Sequence, residues 1–291
     1  HVQQRDEHQH ADSPQVDHVR TTGRFGQTVS DWVDDRCRQT RAALKQDMVE
    51  WDHSARWVGL FSGGKDSSWA VYRALAAELP LERLLTVHPT GESYMYHRPA
   101  TELAAPAARS IGIELEELRP GAFEPESDRP ESVGERGDRE LEPVERALER
   151  MADTEPIAGI TAGAIESEYQ TSRLQAMADR LGCQLFAPLW ERDPRTLAEE
   201  MIDAGFDIRI VQVAAAGLDA SWLGRRLDRS ALAELATLNE AYGVHLMGEG
   251  GEFETVVVDG PHMDRRLELE SEPVWQGDRG HLEIVEATLA D

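Results

Sequence analysis

Residues 57–67, Trp-Val-Gly-Leu-Phe-Ser-Gly-Gly-Lys-Asp-Ser, constrain this chain more than any other stretch. An apolar run too short for a helix stops at Ser62-Gly63-Gly64, and Asp66 to Leu79 then carries helical periodicity. A buried strand that turns through glycines into a helix is the opening unit of an α/β sheet. Such a turn is also an anion site. The helix start offers unpaired backbone N–H groups and the positive end of its dipole, and Gly63 and Gly64 let the main chain come close to a phosphate. Lys65 adds a cation, in a chain whose only other lysine is Lys45.

The alternation continues downstream. Strands are expected near Leu84 to Val87, Ile113 to Leu118, Ile157 to Ala164 and Gln184 to Phe186, with Ala187-Pro188-Leu189-Trp190 closing the last one. Helices are expected over Pro99 to Ser110, Pro143 to Ala152 and Ser167 to Leu181, the last capped by Gly182. Between Arg119 and Glu142 the chain is rich in Pro, Glu, Arg and Gly and reads as an exposed acidic loop. From Arg192 the pattern loosens: helices over Pro194 to Ala204 and Ala231 to Tyr242, and strands over Ile208 to Val213, near Thr255 to Val258 and near Leu267 to Glu270. This divides the chain into a polar extension over 1–55, with a helix from Val29 to Trp51, an anion-binding α/β domain over 56–191, and a C-terminal substrate domain over 192–291.

Gly59 to Lys65 nearly spells a Walker A loop, but that pattern needs Ser or Thr after the lysine to hold magnesium, and Asp66 stands there. Three further segments carry chemistry. Gly163-Ala-Ile-Glu-Ser167-Glu-Tyr169-Gln170, with Arg173 one turn on, lies at a second strand-to-helix transition. Parallel sheets collect ligands at such carboxyl ends. Ser167 is expected to cap the helix, and Arg173 either to meet an anion or to pair with Glu166 or Glu168. Met247-Gly-Glu249-Gly250-Gly251-Glu252-Phe-Glu254-Thr255 sets three carboxylates beside glycines. Like charges this close raise one another's pKa unless a cation offsets them, so they suit metal or amine handling and base work, or form an acidic hairpin. Ser93-Tyr94-Met95-Tyr96-His97 follows the second strand and is weaker evidence, because Tyr and Met cluster in cores as readily as on ligands.

Composition bounds the partners. A net charge of -25 opposes phosphate-backbone binding, so nucleic acid is an unexpected partner. An acidic surface with scarce lysine suits concentrated salt, where screening removes self-repulsion. Cys37 and Cys183 are too few and too separate for a disulfide framework, a thiolate zinc site or a CxxC pair, which fits a reducing cytoplasm. No apolar run of membrane length occurs, so a membrane-bound location is not expected.

The segments together resemble the diphthine ammonia ligase (diphthamide synthase) family of PP-loop N-type ATP pyrophosphatases. SGGKDS, SYMYH, GAIESEYQ with Arg173, APLW and GEGGEFET before VVVDGP run in the family order from about residue 57 to the C-terminus. Residues 1–55 have no counterpart, and the acidic stretch 119–142 is atypical. The resemblance implies a Rossmann-like parallel sheet with flanking helices, of PP-loop/HUP type, with a smaller α+β C-terminal domain. It also implies a cytoplasmic ligase that uses ATP and Mg2+ to amidate diphthine on elongation factor 2 with ammonium through an acyl-adenylate. On that reading Ser62, Gly63, Gly64, Lys65, Asp66, Ser67 and Ser167 hold the nucleotide and Asp66 the magnesium. Lys65, Glu249, Glu252 and Glu254 are catalytic, while Tyr94, Tyr169, Gln170, Arg173, Gly250, Gly251 and Thr255 contact substrate. The alternatives are a PP-loop ligase that modifies RNA bases and a nucleotide-binding regulator without turnover. A homo-oligomer is compatible with the sequence, although no heptad specifies one.

Overall fold

The computed structural model describes residues 50–88, 102–120, 133–165 and 168–291. The expected helix from Val29, the SYMYH segment with Tyr94, and Glu166 and Ser167 therefore lie outside the described residues, apart from Glu50 and Trp51.

Five parallel strands form the first sheet: β1 (Arg56–Leu60), β2 (Leu81–Val87), β3 (Glu114–Leu118), β4 (Ile157–Thr161) and β5 (Gln184–Phe186), in the order β3-β2-β1-β4-β5. The helices between them are α1 (Lys65–Ala76), α2 (Ala104–Ile111), α3 (Val133–Ala152) and α4 (Glu168–Leu181). The chain winds outward from β1 to β3, returns, and continues on the other side of β1. The strand order thus reverses between β1 and β4, and a crevice opens at their carboxyl ends, where α/β sheets bind ligands.

Side-chain alternation along the strands supplies a core on each face. Trp57, Leu81 and Leu84 pack with α1 and α2. Val58, Leu85, Val87 and Ile160 pack with Leu141, Val144 and Leu148 of α3 and Leu174 and Met177 of α4.

Sequence and structure part in four places. Helix α1 stops at Ala76, and Glu78 takes a positive φ of 58° as the chain turns back toward β2. Helix α3 begins at Val133, so the second half of the expected loop 119–142 is helical, with Pro143 inside it. Leu141, Val144, Leu148 and Met151 recur at helical spacing and are buried, which outweighs the proline and the charges around them. Ala187 to Trp190 forms a turn after β5 and not part of the strand, closed by Trp190 N–H donating to the Ala187 carbonyl. Glu50 and Trp51, placed in the polar extension, belong to the body: the Trp51 ring meets Trp57 and Phe186 edge-on at 5.7 and 5.1 Å.

The C-terminal part holds α5 (Pro194–Asp203), β6 (Asp207–Val213), α6 (Arg229–Tyr242), β7 (Phe253–Asp259), β8 (Leu267–Gln276) and β9 (Arg279–Leu289). Its four strands form an antiparallel sheet in the order β7-β6-β9-β8. The long β8–β9 hairpin is a further departure, in this region: the expected strand ends at Glu270, and β9 was not expected at all. Exposed residues line much of both strands, so no apolar alternation announces them. Phe206 and Ile208 join Trp69 and Tyr72 of α1 in one apolar cluster, which sets β7 against the start of α1.

Candidate active site

A cavity of about 200 Å³ sits at the reversal of strand order. One wall is the glycine loop: Ser62, Gly64, Lys65, Asp66 and Ser67. Gly163, Ala164 and Gln170 come from the end of β4 and the start of α4, and Gly248, Glu249, Phe253, Glu254 and Thr255 come from the loop before β7 and its first residues. Leu60, Leu85, Val87, Leu141, Val144 and Leu174 give it an apolar arm. Three separate strand-end segments therefore meet in one space.

The glycine loop is built for close approach. Gly63 has φ 82°, a left-handed conformation that an L side chain resists. Gly64 is the N-cap of α1 and supplies no capping side chain, so the first turn of the helix is left for other partners. Ser67 closes the loop on itself: its hydroxyl donates to the Gly64 carbonyl at 3.2 Å and accepts from Ser62 N–H at 3.1 Å.

Gly163 touches this helix start through its backbone. A Cβ on Gly163 would lie 2.5 Å from the Asp66 carbonyl carbon and 2.7 Å from Ser67 N, so only glycine fits there. Sequence reasoning noticed Gly163 as part of a motif but not as a spacing element.

Lys65 is 4% exposed, and its Nζ pairs with Asp66 Oδ2 at 2.7 Å. Burial alone would lower the lysine pKa, but the carboxylates of Asp66, Glu249 and Glu254 outweigh it and raise the value above the usual range. Burial also pushes the Asp66 carboxyl upward, against the pull of Lys65 and with the help of Glu254. Lys65 therefore remains charged among three acids, and the cavity lining carries excess negative charge.

The GEGGEFET carboxylates separate into two roles of position. Glu249 and Glu254 line the cavity and act on Lys65. Glu252 turns back onto its own loop, accepting from His245 N–H at 3.0 Å and from Gly250 N–H at 2.8 Å. The His245 Nδ1 accepts in turn from Met247 N–H at 3.1 Å. Gly250 and Gly251 belong to this braced turn and do not line the cavity. His245 escaped notice in the sequence, where only its position seven residues before Glu252 pointed to it.

The remaining expected site residues divide. Gln170 reaches the cavity. Arg173 pairs with Asp138 of α3 at 2.9 Å; Glu166 and the Glu168 side chain lie outside the described residues. Tyr169 lies in α4. Thr255 is buried, and its Oγ1 accepts from Lys65 N–H at 3.2 Å.

Asp66 is the natural place for a divalent cation. Its Oδ1 is buried without a hydrogen-bond partner among the described residues, and the lining is short of positive charge, so the residues fit Mg2+. Among the described residues no group of three or more His, Cys, Asp or Glu forms a cage. A cation here would share its coordination with a ligand's phosphates, as Mg2+ ordinarily does.

Family models for the diphthamide synthase N-terminal domain and C-terminal domain match residues 55–185 and 193–290. The chain belongs to the diphthamide synthase family. Family membership makes it an enzyme of the ligase kind. Curated relatives include diphthine–ammonia ligase of Danio rerio, 33% identical over 224 residues that cover 74% of this chain and 87% of that protein. The Homo sapiens diphthine–ammonia ligase is 32% identical over 231 residues, covering 75% of this chain and 84% of that one. The Saccharomyces cerevisiae relative of the same name is 32% identical, with 71% of this chain matching 33% of a longer protein. Among solved structures, the U34-tRNA thiolase NcsA from Methanococcus maripaludis aligns over 77% of this chain and 78% of its own at 14% identity and a TM-score of 0.38. The fold is α/β: a five-stranded parallel sheet flanked by helices, joined to an antiparallel sheet. Among the described residues no helix is long and apolar enough to cross a membrane.

Proposed function

We propose that this chain amidates the diphthine carboxylate of elongation factor 2, using ATP and ammonium and releasing AMP and pyrophosphate. One observation carries the reading. The anion-binding glycine loop and the Glu249 and Glu254 carboxylates face the same cavity, so a phosphate subsite and a cation subsite lie side by side.

A carboxylate is a poor electrophile. Its oxygen attacks the α-phosphorus, the bond from that phosphorus to the bridging oxygen breaks, and pyrophosphate leaves. The glycine loop and Lys65 hold the departing charge, where fixed N–H donors and a desolvated cation act more strongly than in water. Ammonia then adds to the acyl carbon of the adenylate and AMP departs with the carbon–oxygen electron pair. Before that attack ammonium must lose a proton, and Glu254 and Glu249 are the carboxylates placed to attract the cation and accept it. They also suit the trimethylammonium group of diphthine. Glu252 acts through the loop, by bracing the turn that carries Glu249. Asp66 would hold Mg2+, which supplies charge neutralisation on the phosphate oxygens. The apolar arm between Leu60, Val144 and Leu174 suits the flat, weakly polar base of a nucleotide. In this scheme residues 56–191 bind the nucleotide and 192–291 supply the amine and diphthine contacts.

The test is to incubate the protein with ATP, ammonium and elongation factor 2 bearing diphthine and to weigh the factor. Amidation leaves it one mass unit lighter. Lys65→Ala should lower pyrophosphate release by about 100-fold or more, as expected for loss of a charge-stabilising donor. Glu254→Gln should keep ATP binding and slow amide formation. An unchanged mass with wild-type protein, or wild-type pyrophosphate release from Lys65→Ala, overturns the reading.

A further inference from the structure

Strand β7 grips the glycine loop directly. The Gly63 carbonyl accepts from Val257 N–H at 3.0 Å, and Lys65 N–H donates to Thr255 Oγ1 at 3.2 Å. Gly64 packs between them, where a Cβ would lie 3.3 Å from the Thr255 carbonyl oxygen. The carbonyl and N–H of a trans peptide point in opposite directions. Fixing the Gly63 carbonyl on β7 therefore turns Gly64 N–H the other way, toward Ser62 Oγ at 3.4 Å, itself a cavity-lining group.

Thr255 is 4% exposed and lines the same cavity. Its oxygen is used as acceptor by Lys65 N–H, which leaves the hydroxyl proton to donate elsewhere. Lys65 is the first residue of α1, so the N–H that Thr255 takes is one that would otherwise face a bound anion.

We propose that Thr255 is a phosphate-binding residue supplied by the C-terminal sheet: its hydroxyl accepts from Lys65 N–H and donates its proton to a phosphate or pyrophosphate oxygen, relaying the helix start to the anion. This rests on the nucleotide reading above and moves Thr255 from substrate contact to phosphate ligand. The phosphate subsite is then completed by a residue from outside the parallel sheet, and the anion binds only where β7 is in register with the loop.

The experiment measures binding of inorganic pyrophosphate and of ATP by titration calorimetry on the full chain, with melting curves as a folding control. A hydrogen bond to a charged group sets the scale, so Thr255→Val, which keeps the shape and removes the hydroxyl, should weaken both ligands about tenfold. Thr255→Ser, which restores it, should bind within about twofold of wild type. Thr255→Val also strips the buried Lys65 N–H of its acceptor and should melt below Thr255→Ser, so the titrations are run at a temperature where the melting curves show both variants folded. A merely structural role for Thr255 predicts that the two variants lose stability and affinity together. Wild-type pyrophosphate affinity in Thr255→Val, or equal weakening in Thr255→Ser, overturns the proposal alone. Failure of the wild-type protein to bind ATP or pyrophosphate overturns the nucleotide reading as well.

Discussion

His262 shows how one buried side chain sets an acid limit. It is 4% exposed, stacks on Phe206 at 5.1 Å with 19° between the rings, and neither ring nitrogen has a hydrogen-bond partner among the described residues. Burial lowers its pKa from 6.5 to about 3. The unfolded chain takes up a proton below the ordinary value and the folded chain does not, so stability is complete above pH 6.5 and declines as pH falls toward 3. By pH 5 the loss is about 2 kcal/mol. His262→Phe should melt with a smaller midpoint drop between neutral pH and pH about 5 than wild type. Equal drops would mean that the ring is protonated in place. At this scale the sequence was informative where residue type is chemistry: the acidic and glycine-rich segments it singled out supply Ser62, Gly64 to Ser67, Glu249 and Glu254 to one cavity lining. It was silent where orientation decides, since nothing in a string of letters separates Glu252, folded onto its own loop, from Glu254, two residues later in the cavity lining.

The start of α5 was legible from a local rule. Asp193 precedes Pro194 and caps α5, its carboxylate accepting from Thr196 N–H at 2.8 Å and from the Thr196 hydroxyl at 2.7 Å. Those bonds lower its pKa, so the cap is in place above the ordinary carboxylate value of 3.8 and is lost as pH falls through the lowered folded value. Asp193→Ala should cost about 1 kcal/mol in urea unfolding at neutral pH, and the gap from wild type should close in acid. A gap that persists when the carboxylate is protonated would assign the loss to something other than the cap. Elements governed by tertiary context were harder to read. The buried stripe of α3 is only visible once the sheet face it covers is known, and proline and glycine around it mimic a loop. The β8–β9 hairpin turns at Gly277, with φ 64°, and that Gly-Asp turn was the one local clue to β9.

The whole molecule carries a net charge of -25, and the C-terminal hairpin concentrates part of it. Glu270 faces Glu286 across the two strands, and Glu272 faces Glu283. Like charges directly opposite destabilise a strand pair, and salt screens them. The melting midpoint should therefore climb steadily as KCl is raised from about 0.1 M toward molar concentrations, where the screening length falls from about 10 Å to about 3 Å. A midpoint that stays flat or falls across that series would show that repulsion does not limit stability. The architecture itself followed from one strand, one glycine turn and the alternation behind them, because a parallel sheet with crossovers leaves few topologies. The packing of the second sheet against α1 did not follow, since it depends on Trp69, Tyr72 and Phe206 meeting across a long separation in sequence.

Gly163 carries a last consequence. Its bare α-carbon rests on the main chain of Asp66 and Ser67, so the segments leaving β1 and β4 abut with no side chain as a cushion. Two walls of the crevice are thereby keyed like a tongue in its slot, and any side chain added at that seam would have to prise them apart.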